Sequence, residues 1–251
     1  MRILVLSDIH SNLQALEACL AHAPAHDVVV NLGDIVGYGA NPNEVIERAR
    51  GLGTYFVRGN HDKAAAGLMD LNDFNPIAGM AALWTREHLT PANLQWLTQL
   101  PQGPIQVKEF AQAQFVHGSP IDEDEYLVTP EDALESLLAS ERPLTFFGHS
   151  HLQCAFTTDR QHDGPLRPAY KTVGQAESAE WQLKKDMHYL INPGSVGQPR
   201  DGDWRAGFAL FDSDTYTLNY YRVPYDLKAA QQRIMAAKLP PRLATRLATG
   251  R

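Results

Sequence analysis

Five short apolar segments of this chain each end in a polar residue of a type that binds metals or transfers protons. The segment 27–32 is the clearest, because its β-branched run predicts a buried parallel strand that Gly33 and Asp34 follow directly. In open α/β sheets, ligands collect where the strands end at their carboxyl edge. An aspartate at such a turn often serves only local hydrogen bonding, so the weight of Asp34 comes from the four other segments.

The residues that follow the five segments are carboxylates, imidazoles and one amide. In chain order they are Asp8 and His10, then Asp34, then Asn60, His61 and Asp62, then His117, and last His149 and His151. Oxygen and imidazole ligands without thiolate suit divalent Mn, Fe, Zn, Ni or Co. Five of the ten histidines lie at these strand ends, which favours one converging metal site over unrelated turns. His149 and His151 can serve one bimetal centre only if the loop twists between them.

Composition and charge exclude several classes of protein. The chain of 251 residues is 44% hydrophobic, which is ample for a sizeable core, and it contains neither an internal repeat nor an interdomain linker. We therefore predict a single domain over residues 1–251, with a frayed and peripheral tail from about residue 238. The formal net charge of −7 argues against a broad basic surface for long nucleic acid or for an anionic membrane.

The cysteines and the apolar segments favour a cytoplasmic protein. Cys19 falls in a predicted helix and Cys154 in a predicted strand, where buried free thiols are expected rather than a disulfide. The apolar run 3–6 is too short for a signal segment, and no stretch approaches the length of a membrane span. A small-molecule partner is the expectation that remains, and the oligomeric state stays open.

Hydrophobic periodicity predicts strands that alternate with helices. A strand over 54–57 leads to Asn60, and residues 63–100 read as helices broken near Pro76 and Pro91. The polar stretch 159–186 is expected to form a long loop or an extended hairpin. Surface or packing positions are expected for the remaining histidines, which are His22, His26, His88, His162 and His188.

The ordered set of motifs resembles the calcineurin-like metallophosphoesterase superfamily. The matching blocks are Asp8-x-His10, Gly33-Asp34, Gly59-Asn60-His61-Asp62, His117 and Gly148-His149-Ser150-His151. The stretch 192–197 is similar to the bacterial phosphodiesterase-like branch of that family. The resemblance implies an α/β fold, a four-layer α/β/β/α sandwich of two mixed sheets flanked by helices, with a dinuclear metal centre between the loops of the sheets.

The resemblance also implies a role for each matching residue. Asp8, His10 and His151 would bind the first metal, Asp34 would bridge both metals, and Asn60, His117 and His149 would complete the second site. His61 corresponds to the catalytic histidine of the family, which donates a proton to the leaving oxygen or stabilises the developing charge. The implied reaction is attack on phosphorus by a hydroxide that two cations about 3.5–4 Å apart activate. No protein nucleophile is needed, so structural roles are expected for Ser7, Ser119 and Ser195.

One departure from the family pattern bears on the substrate. In the phosphoprotein phosphatases of the family the Gly-Asp block continues as Val-Asp-Arg-Gly, whereas Gly37 and Tyr38 stand at those places here. The missing arginine removes a bidentate phosphate clamp, and the missing aspartate leaves the orienting partner of His61 unidentified. We therefore favour a phosphodiesterase for a small, nucleotide-like diester over a phosphomonoesterase or a diadenosine polyphosphate hydrolase.

Several questions stay open at the level of sequence. Tyr38 could line the substrate pocket or pack, while Arg200 and Arg205 could contact phosphate, although surface salt bridges are the favoured account for both. The acidic loop 121–129 is expected to be solvated, with gating of the site as the alternative. The alternative to an enzyme is a non-catalytic metal-binding scaffold. All seven ligand positions of the family pattern and His61 are filled, which counts against a scaffold.

Overall fold

The computed structural model describes residues 1–53, 55–158 and 164–251, in which strands and helices alternate. The strands are β1 (Arg2–Leu6), β2 (Val28–Asn31), β3 (Tyr55–Phe56), β4 (Ile105–Val107), β5 (Phe110–Phe115), β6 (Leu144–Phe146), β7 (Gln153–Thr157), β8 (Glu177–Gln182), β9 (Tyr189–Pro193), β10 (Ala206–Asp212) and β11 (Thr217–Val223). The α-helices are α1 (Leu13–His22), α2 (Pro42–Arg50), α3 (Asn60–Ala66), α4 (Pro76–His88), α5 (Pro91–Thr98), α6 (Pro130–Ala139), α7 (Leu227–Ala236) and α8 (Pro241–Leu247). A 3₁₀ turn covers Leu71–Asp73.

Two mixed sheets form the middle of the molecule. In the described chain, the first has the strand order β3-β2-β1-β10-β11-β8 and the second the order β4-β5-β6-β9-β7. The strands β1, β2 and β3 are mutually parallel, as are β5, β6 and β9, whereas the remaining pairings are antiparallel. Parallel strands end at a common edge, so each sheet presents its carboxyl-end loops together.

Apolar side chains on both faces of each sheet create the four layers. Ile3 and Val5 of β1 lie in one buried cluster with Phe115, Phe146 and Ile191 of the other sheet. The opposite face of the first sheet packs against α1, α2, α4, α5, α7 and α8. The outer face of the second sheet packs against α6. The predicted α/β/β/α sandwich with two mixed sheets is therefore confirmed.

Local signals set the helix starts. The Asn12 side chain accepts a hydrogen bond from the Ala15 backbone N–H at 3.1 Å, which satisfies a donor that the first turn of α1 leaves free. Thr129 and Asp132 form a reciprocal capping box at the start of α6. The predicted breaks near Pro76 and Pro91 coincide with the starts of α4 and α5, where proline occupies the first helical position.

The tail prediction is wrong. Residues 241–247 form α8, and Leu243, Ala244 and Leu247 are buried in the cluster beneath the first sheet. Leu243 and Leu247 are four residues apart and share one helix face, so a short amphipathic pattern buries itself against α7. Further along, the Gly250 carbonyl accepts a hydrogen bond from Gly202 at 2.9 Å.

Parts of three other predictions lie outside the described residues. Thr54, the expected start of the third strand, is one of them, and β3 is described as Tyr55–Phe56. The first residues of the predicted 159–186 loop and His162 are the others. In the described remainder of that loop, β8 pairs with β11 over six residues. No helix in residues 1–53, 55–158 and 164–251 has the length and apolar composition to span a membrane.

Candidate metal centre

The carboxyl ends of the parallel strands deliver the predicted ligands to one place. Asp8 and His10 follow β1, Asp34 follows β2, and Asn60 begins α3 after β3. In the second sheet, His117 follows β5, and His149 and His151 follow β6. Of these residues only Asn60 is more than marginally exposed, because the loops of the two sheets close over one another.

Five of these ligand-type residues have a left-handed backbone. The φ angles are 53° at Asp8, 49° at His10, 51° at Asp34, 64° at His149 and 60° at His151. Such angles are uncommon for residues with a side chain and cost roughly 1–2 kcal/mol each. Strain of this kind concentrates at functional sites, where the surrounding structure holds it. The loop from His149 to His151 twists as their joint use of one centre requires.

A first group of ligand atoms comprises side chains of Asp8, His10, Asp34 and His151. The Nε2 atoms of His10 and His151 are 3.1 Å apart, His151 Nε2 lies 3.3 Å from Asp8 Oδ1, and His10 Nε2 lies 3.5 Å from Asp34 Oδ2. Atoms about 2.1 Å from one cation and at right angles to each other would be about 3 Å apart. The spacing of this group therefore fits a single divalent ion.

A second group shares Asp34 with the first. Its other members are His117 and His149, whose Nε2 and Nδ1 atoms are 3.1 Å apart. His117 Nε2 also lies 3.6 Å from Asp34 Oδ2 and 3.4 Å from Asn60 Oδ1. Because the same Oδ2 atom faces both groups, Asp34 is placed where one carboxylate could join two ions.

Hydrogen bonds to main-chain carbonyls determine which imidazole nitrogens can bind a cation. His10 Nδ1 donates to Val36 O at 3.1 Å, His117 Nδ1 to Leu32 O at 2.8 Å, and His151 Nδ1 to Gln198 O at 2.6 Å. In a neutral ring the other nitrogen then carries a lone pair. The facing Nε2 atoms of His10 and His151 would repel each other without a cation between them. The donor chemistry therefore fits metal ions.

Burial favours the uncharged form of each ligand. A metal ion binds the neutral imidazole directly and displaces the proton of a carboxyl group. Burial lowers the pKa of His10 and of His151 well below the ordinary value, and that of His149 to about 2, so the rings are neutral. It raises the pKa of the Asp8 carboxyl to about 7. Burial, and then the neighbouring Asp62, raise the pKa of Asp34. Divalent ions would compensate the buried carboxylates.

His61 lies beside both groups, and aromatic rings rather than a carboxylate surround its side chain. Its backbone N–H donates to Asp34 Oδ1 at 2.8 Å, while its buried Nδ1 meets no partner among the described residues. The ring packs instead against Tyr38 at 4.3 Å and against His10 and Phe74 at 4.9 Å between centroids. Aromatic packing thus holds the ring in place of the carboxylate partner that the sequence lacks.

Gly37 makes room for that arrangement. Its φ is +94°, and a Cβ atom built on it would lie 2.6 Å from His61 Nδ1. A side chain at this position would displace the ring, so the departure from the Val-Asp-Arg-Gly pattern has a steric consequence. Asp62, the last residue of the Asn-His-Asp block, accepts from the N–H groups of Val36 and Gly59 and so braces the two turns rather than joining a ligand group.

Arg200 approaches the centre from the loop that follows β9, and the predicted surface salt bridge is wrong for it. Its guanidinium carbon is 5.8 Å from the Tyr38 ring centroid, and its Nη2 donates to the Tyr38 hydroxyl at 3.4 Å and to Gln198 at 3.2 Å. Its Nε is buried without a partner among the described residues. Burial raises the pKa of the Tyr38 hydroxyl, and the Arg200 charge opposes that rise.

The loop after β9 is fastened to the ligand loops. Ser195 Oγ donates to Asp8 O at 2.8 Å, Asn192 Nδ2 donates to Gly148 O at 2.8 Å, and Arg200 N donates to His151 O at 3.3 Å. Ser195 therefore has a structural role, as expected. Ser7 and Ser119 likewise bind neighbouring loop groups, through Asp8 Oδ2 in one case and backbone N–H groups in the other.

Arg205 does not reach the centre and is not on the surface. It is 1% exposed and holds Asp203 through both its Nε and its Nη2, at 3.0 and 2.6 Å. Its Nη1 donates to the Gln175 carbonyl at 2.6 Å. The salt bridge expected for Arg205 is therefore present, with Asp203 as its partner, but the arginine side chain is buried rather than on the surface.

The acidic loop is anchored beside the centre through its middle residues, while residues 121, 122, 126, 128 and 129 are exposed as expected of a solvated loop. Glu123 accepts from Arg58 at 2.9 Å and from Lys63 at 3.0 Å, and Lys63 also pairs with Asp124 at 2.5 Å. The Tyr126 ring then lies 3.7 Å from the His149 ring. Lys63 is in α3, two residues after His61. Its ammonium group holds the acidic residues 123 and 124 against the site.

Comparison with known proteins gives one family. Residues 1–216 match the family model described as calcineurin-like phosphoesterase superfamily domain. An uncharacterised protein of Methanocaldococcus jannaschii is 36% identical over 254 residues, covering 99% of this chain and 98% of its own. The crystal structure of a metallophosphoesterase from Sphaerobacter thermophilus superposes with a TM-score of 0.87 at 40% identity, over 100% of this chain and 99% of that one.

A more distant structure agrees in fold. A hypothetical protein from Pyrococcus horikoshii superposes with a TM-score of 0.78 at 21% identity, over 100% of this chain and 98% of its own. Together with the two Asp/His groups, which fit a dinuclear metal site, these matches lead to one assignment. The chain belongs to the calcineurin-like phosphoesterase superfamily.

Proposed function

We propose that this protein is a metal-dependent phosphodiesterase that hydrolyses a small, nucleotide-like phosphodiester. One observation supports the metal dependence. In each of the two groups, which share Asp34, two imidazole nitrogens face each other at a distance of 3.1 Å. The proposed ligands are Asp8, His10, Asp34, Asn60, His117, His149 and His151. Two divalent ions bound there would activate water and neutralise charge on the phosphoryl oxygens. Mn is the first candidate, with Fe, Zn, Ni and Co as alternatives.

Two residues around the centre would act on the substrate, one by donating a proton to the leaving group and one by orienting the phosphate. His61 is held by packing against Tyr38 and lines the cavity over the centre, and we assign its ring to the leaving oxygen. Arg200 presents a planar cation beside Tyr38, where its guanidinium could donate to a phosphate oxygen. It supplies, from another loop, the kind of clamp that position 38 lacks.

The shape of the cleft favours a diester over a monoester. A cavity of 240 Å³ over the centre is lined by Asn60, His61, Tyr126 and His149, and it also touches Tyr38. A second cavity of 810 Å³ begins on Tyr38 as well. A phosphorus with organic groups on two sides would fill both cavities, whereas a monoester would leave one of them vacant. Free, buried Cys19 and Cys154 support the cytoplasm as the proposed location.

The test is hydrolysis of bis(p-nitrophenyl) phosphate beside p-nitrophenyl phosphate. Protein stripped by a chelator and reloaded with Mn, Ni, Zn or Mg is expected to show a kcat/KM for the diester about tenfold or more above that for the monoester. Activity that is absent without metal and returns on reloading would support the proposal. A preference for the monoester would overturn the diester assignment, and turnover without any metal would overturn the metal dependence.

Replacing Arg200 by alanine tests the phosphate contact. We expect kcat/KM for the diester to fall by about 10- to 100-fold, because a charge-assisted hydrogen bond to phosphate is lost. Arg200→Lys should recover part of the loss, since lysine keeps the charge without the bidentate geometry. Arg233→Ala, which removes an exposed arginine of α7, is the matched control. Equal kinetics for Arg200→Ala and the control would show that Arg200 does not bind the substrate.

A further inference from the structure

The C-terminal helix α8 lines a large cavity next to the metal centre. The cavity has a volume of 810 Å³ and is bounded by Tyr38, residues 75–77, Arg242 and Arg246 of α8, and Arg251 beyond it. It shares Tyr38 and Asn75 with the smaller cleft over His61 and His149. A molecule bound at the centre could therefore extend past Tyr38 into this space.

In the described part of the chain, no acidic side chain pairs with the arginines of this cavity, and Arg246 Nε donates instead to the Arg251 carbonyl oxygen at 2.6 Å. The guanidinium carbon of Arg246 is 5.9 Å from the Tyr38 ring, and that of Arg200 is 5.8 Å from the same ring. Among residues 1–53, 55–158 and 164–251, acidic side chains form ion pairs with Arg48, Arg58, Arg205 and Arg222 but with none of the arginines of the cavity or Arg200. Burial, and then the nearby Arg200 and Arg242 charges, lower the pKa of Arg246.

An unneutralised cluster is unusual on a chain with a formal net charge of −7. Acidic residues outnumber basic ones in the sequence, and elsewhere in the described fold Arg48, Arg58, Arg205 and Arg222 have acidic partners. Like charges held close together cost free energy unless an anion joins them. Arginine in particular matches the geometry of phosphate, because its N–H groups form a planar fork.

We propose that this cavity binds a second phosphate group of the substrate. The preferred substrate is then an organic phosphodiester that carries an additional phosphate beyond the one that is hydrolysed. Arg242 and Arg246 are assigned to that phosphate, and Tyr38 lies between it and the metal centre. The volume leaves room for an attached group of nucleoside size. This inference rests on the proposed phosphodiesterase function and narrows its substrate class.

The position of the subsite in the chain makes it a specificity feature. The residues that match the family domain end at 216, and α8 lies after them. The metal-centre residues all fall inside the matched range. The chemistry would thus come from the common domain, and the choice of substrate from a helix that the family model does not include.

The test compares two substrates that differ only in the additional phosphate. They are the p-nitrophenyl ester of thymidine 5′-phosphate and the same ester with a 3′-phosphate. We expect kcat/KM of the wild type to be about tenfold or more higher for the phosphorylated ester, mainly through KM. In Arg242→Gln, Arg246→Gln and the double variant the ratio should fall toward one, while Arg233→Gln keeps the wild-type ratio. Arg246→Lys should keep part of the preference.

A binding measurement separates the subsite from the reaction. Calorimetric titration of the chelator-treated protein with thymidine 3′,5′-bisphosphate and thymidine 5′-monophosphate should give a Kd about tenfold or more lower for the bisphosphate, with the difference lost in Arg246→Gln. Equal affinities in the wild type, or a preference that survives in the double variant with a native melting temperature, would overturn the subsite. Failure to hydrolyse either ester, with the binding preference intact, would overturn the proposed function alone.

Discussion

Replacing Asp34 by asparagine is expected to leave a folded protein that binds at most one divalent ion per chain and loses kcat/KM for diesters by about 10³-fold or more. The amide oxygen can still accept from the His61 N–H, now at 2.8 Å from Asp34 Oδ1. The amide nitrogen, however, would replace the Oδ2 atom that faces His10 at 3.5 Å and His117 at 3.6 Å, and it offers no lone pair. Loss of one divalent ion removes a Lewis acid, and with it several kcal/mol of transition-state stabilisation.

Two measurements distinguish this loss from misfolding. Metal content per chain after reloading should fall from two to one or fewer. The melting temperature of the metal-free variant at pH 8 should equal or exceed that of the metal-free wild type, because the substitution removes a buried carboxylate whose pKa burial and Asp62 raise. Two bound ions in the variant, with activity unchanged, would contradict the bridging role. Asp27→Asn changes an exposed aspartate just before β2 and serves as the control.

Replacing His61 by alanine is expected to lower activity while both metals stay bound. A positioned proton donor contributes about 10²–10⁴-fold, so kcat for a diester with an alkyl leaving group should fall by that factor. The loss should be smaller for a p-nitrophenyl leaving group, because p-nitrophenolate leaves without being protonated. Steady-state kinetics on both esters, beside metal content, checks the prediction. His22→Ala, at an exposed histidine, is the matched control.

Kinetics of the wild type and of His61→Ala also distinguish an enzyme from a non-catalytic metal-binding scaffold. If the alanine variant keeps two metals and loses alkyl-ester activity more than aryl-ester activity, the ring acts on the leaving oxygen. Equal losses on both esters would instead indicate stabilisation of charge on the phosphoryl group. A wild type that binds two metals tightly and hydrolyses no ester would favour the non-catalytic scaffold, since then the substitution would have nothing to lower.

The sequence contains enough information to predict the architecture and the residue types at the centre. Runs such as 3–6 and 28–30 are apolar along their whole length, so buried parallel strands follow from composition alone. The carboxyl ends of parallel strands share one edge, so the polar residues after them were expected to meet. The structure brings Asp8, His10, Asp34 and His151 into one group across 143 residues of chain (8 to 151) for this reason.

The tertiary structure alone decided what surrounds the ligands. The sequence marks Arg200 and Arg205 alike as candidate phosphate contacts, and of the two only Arg200 reaches Tyr38, across 162 residues, because the loop after β9 is tied to both sheets. Arg246 lies on a seven-residue helix that reads as a frayed basic tail, yet burial of Leu243 and Leu247 holds it beside the site. The residue types that bind metal can be recognised from the few residues around each strand end, because strand and turn propensities are local. Neighbours across the cleft follow from how two sheets and their covering helices pack, which no local pattern records.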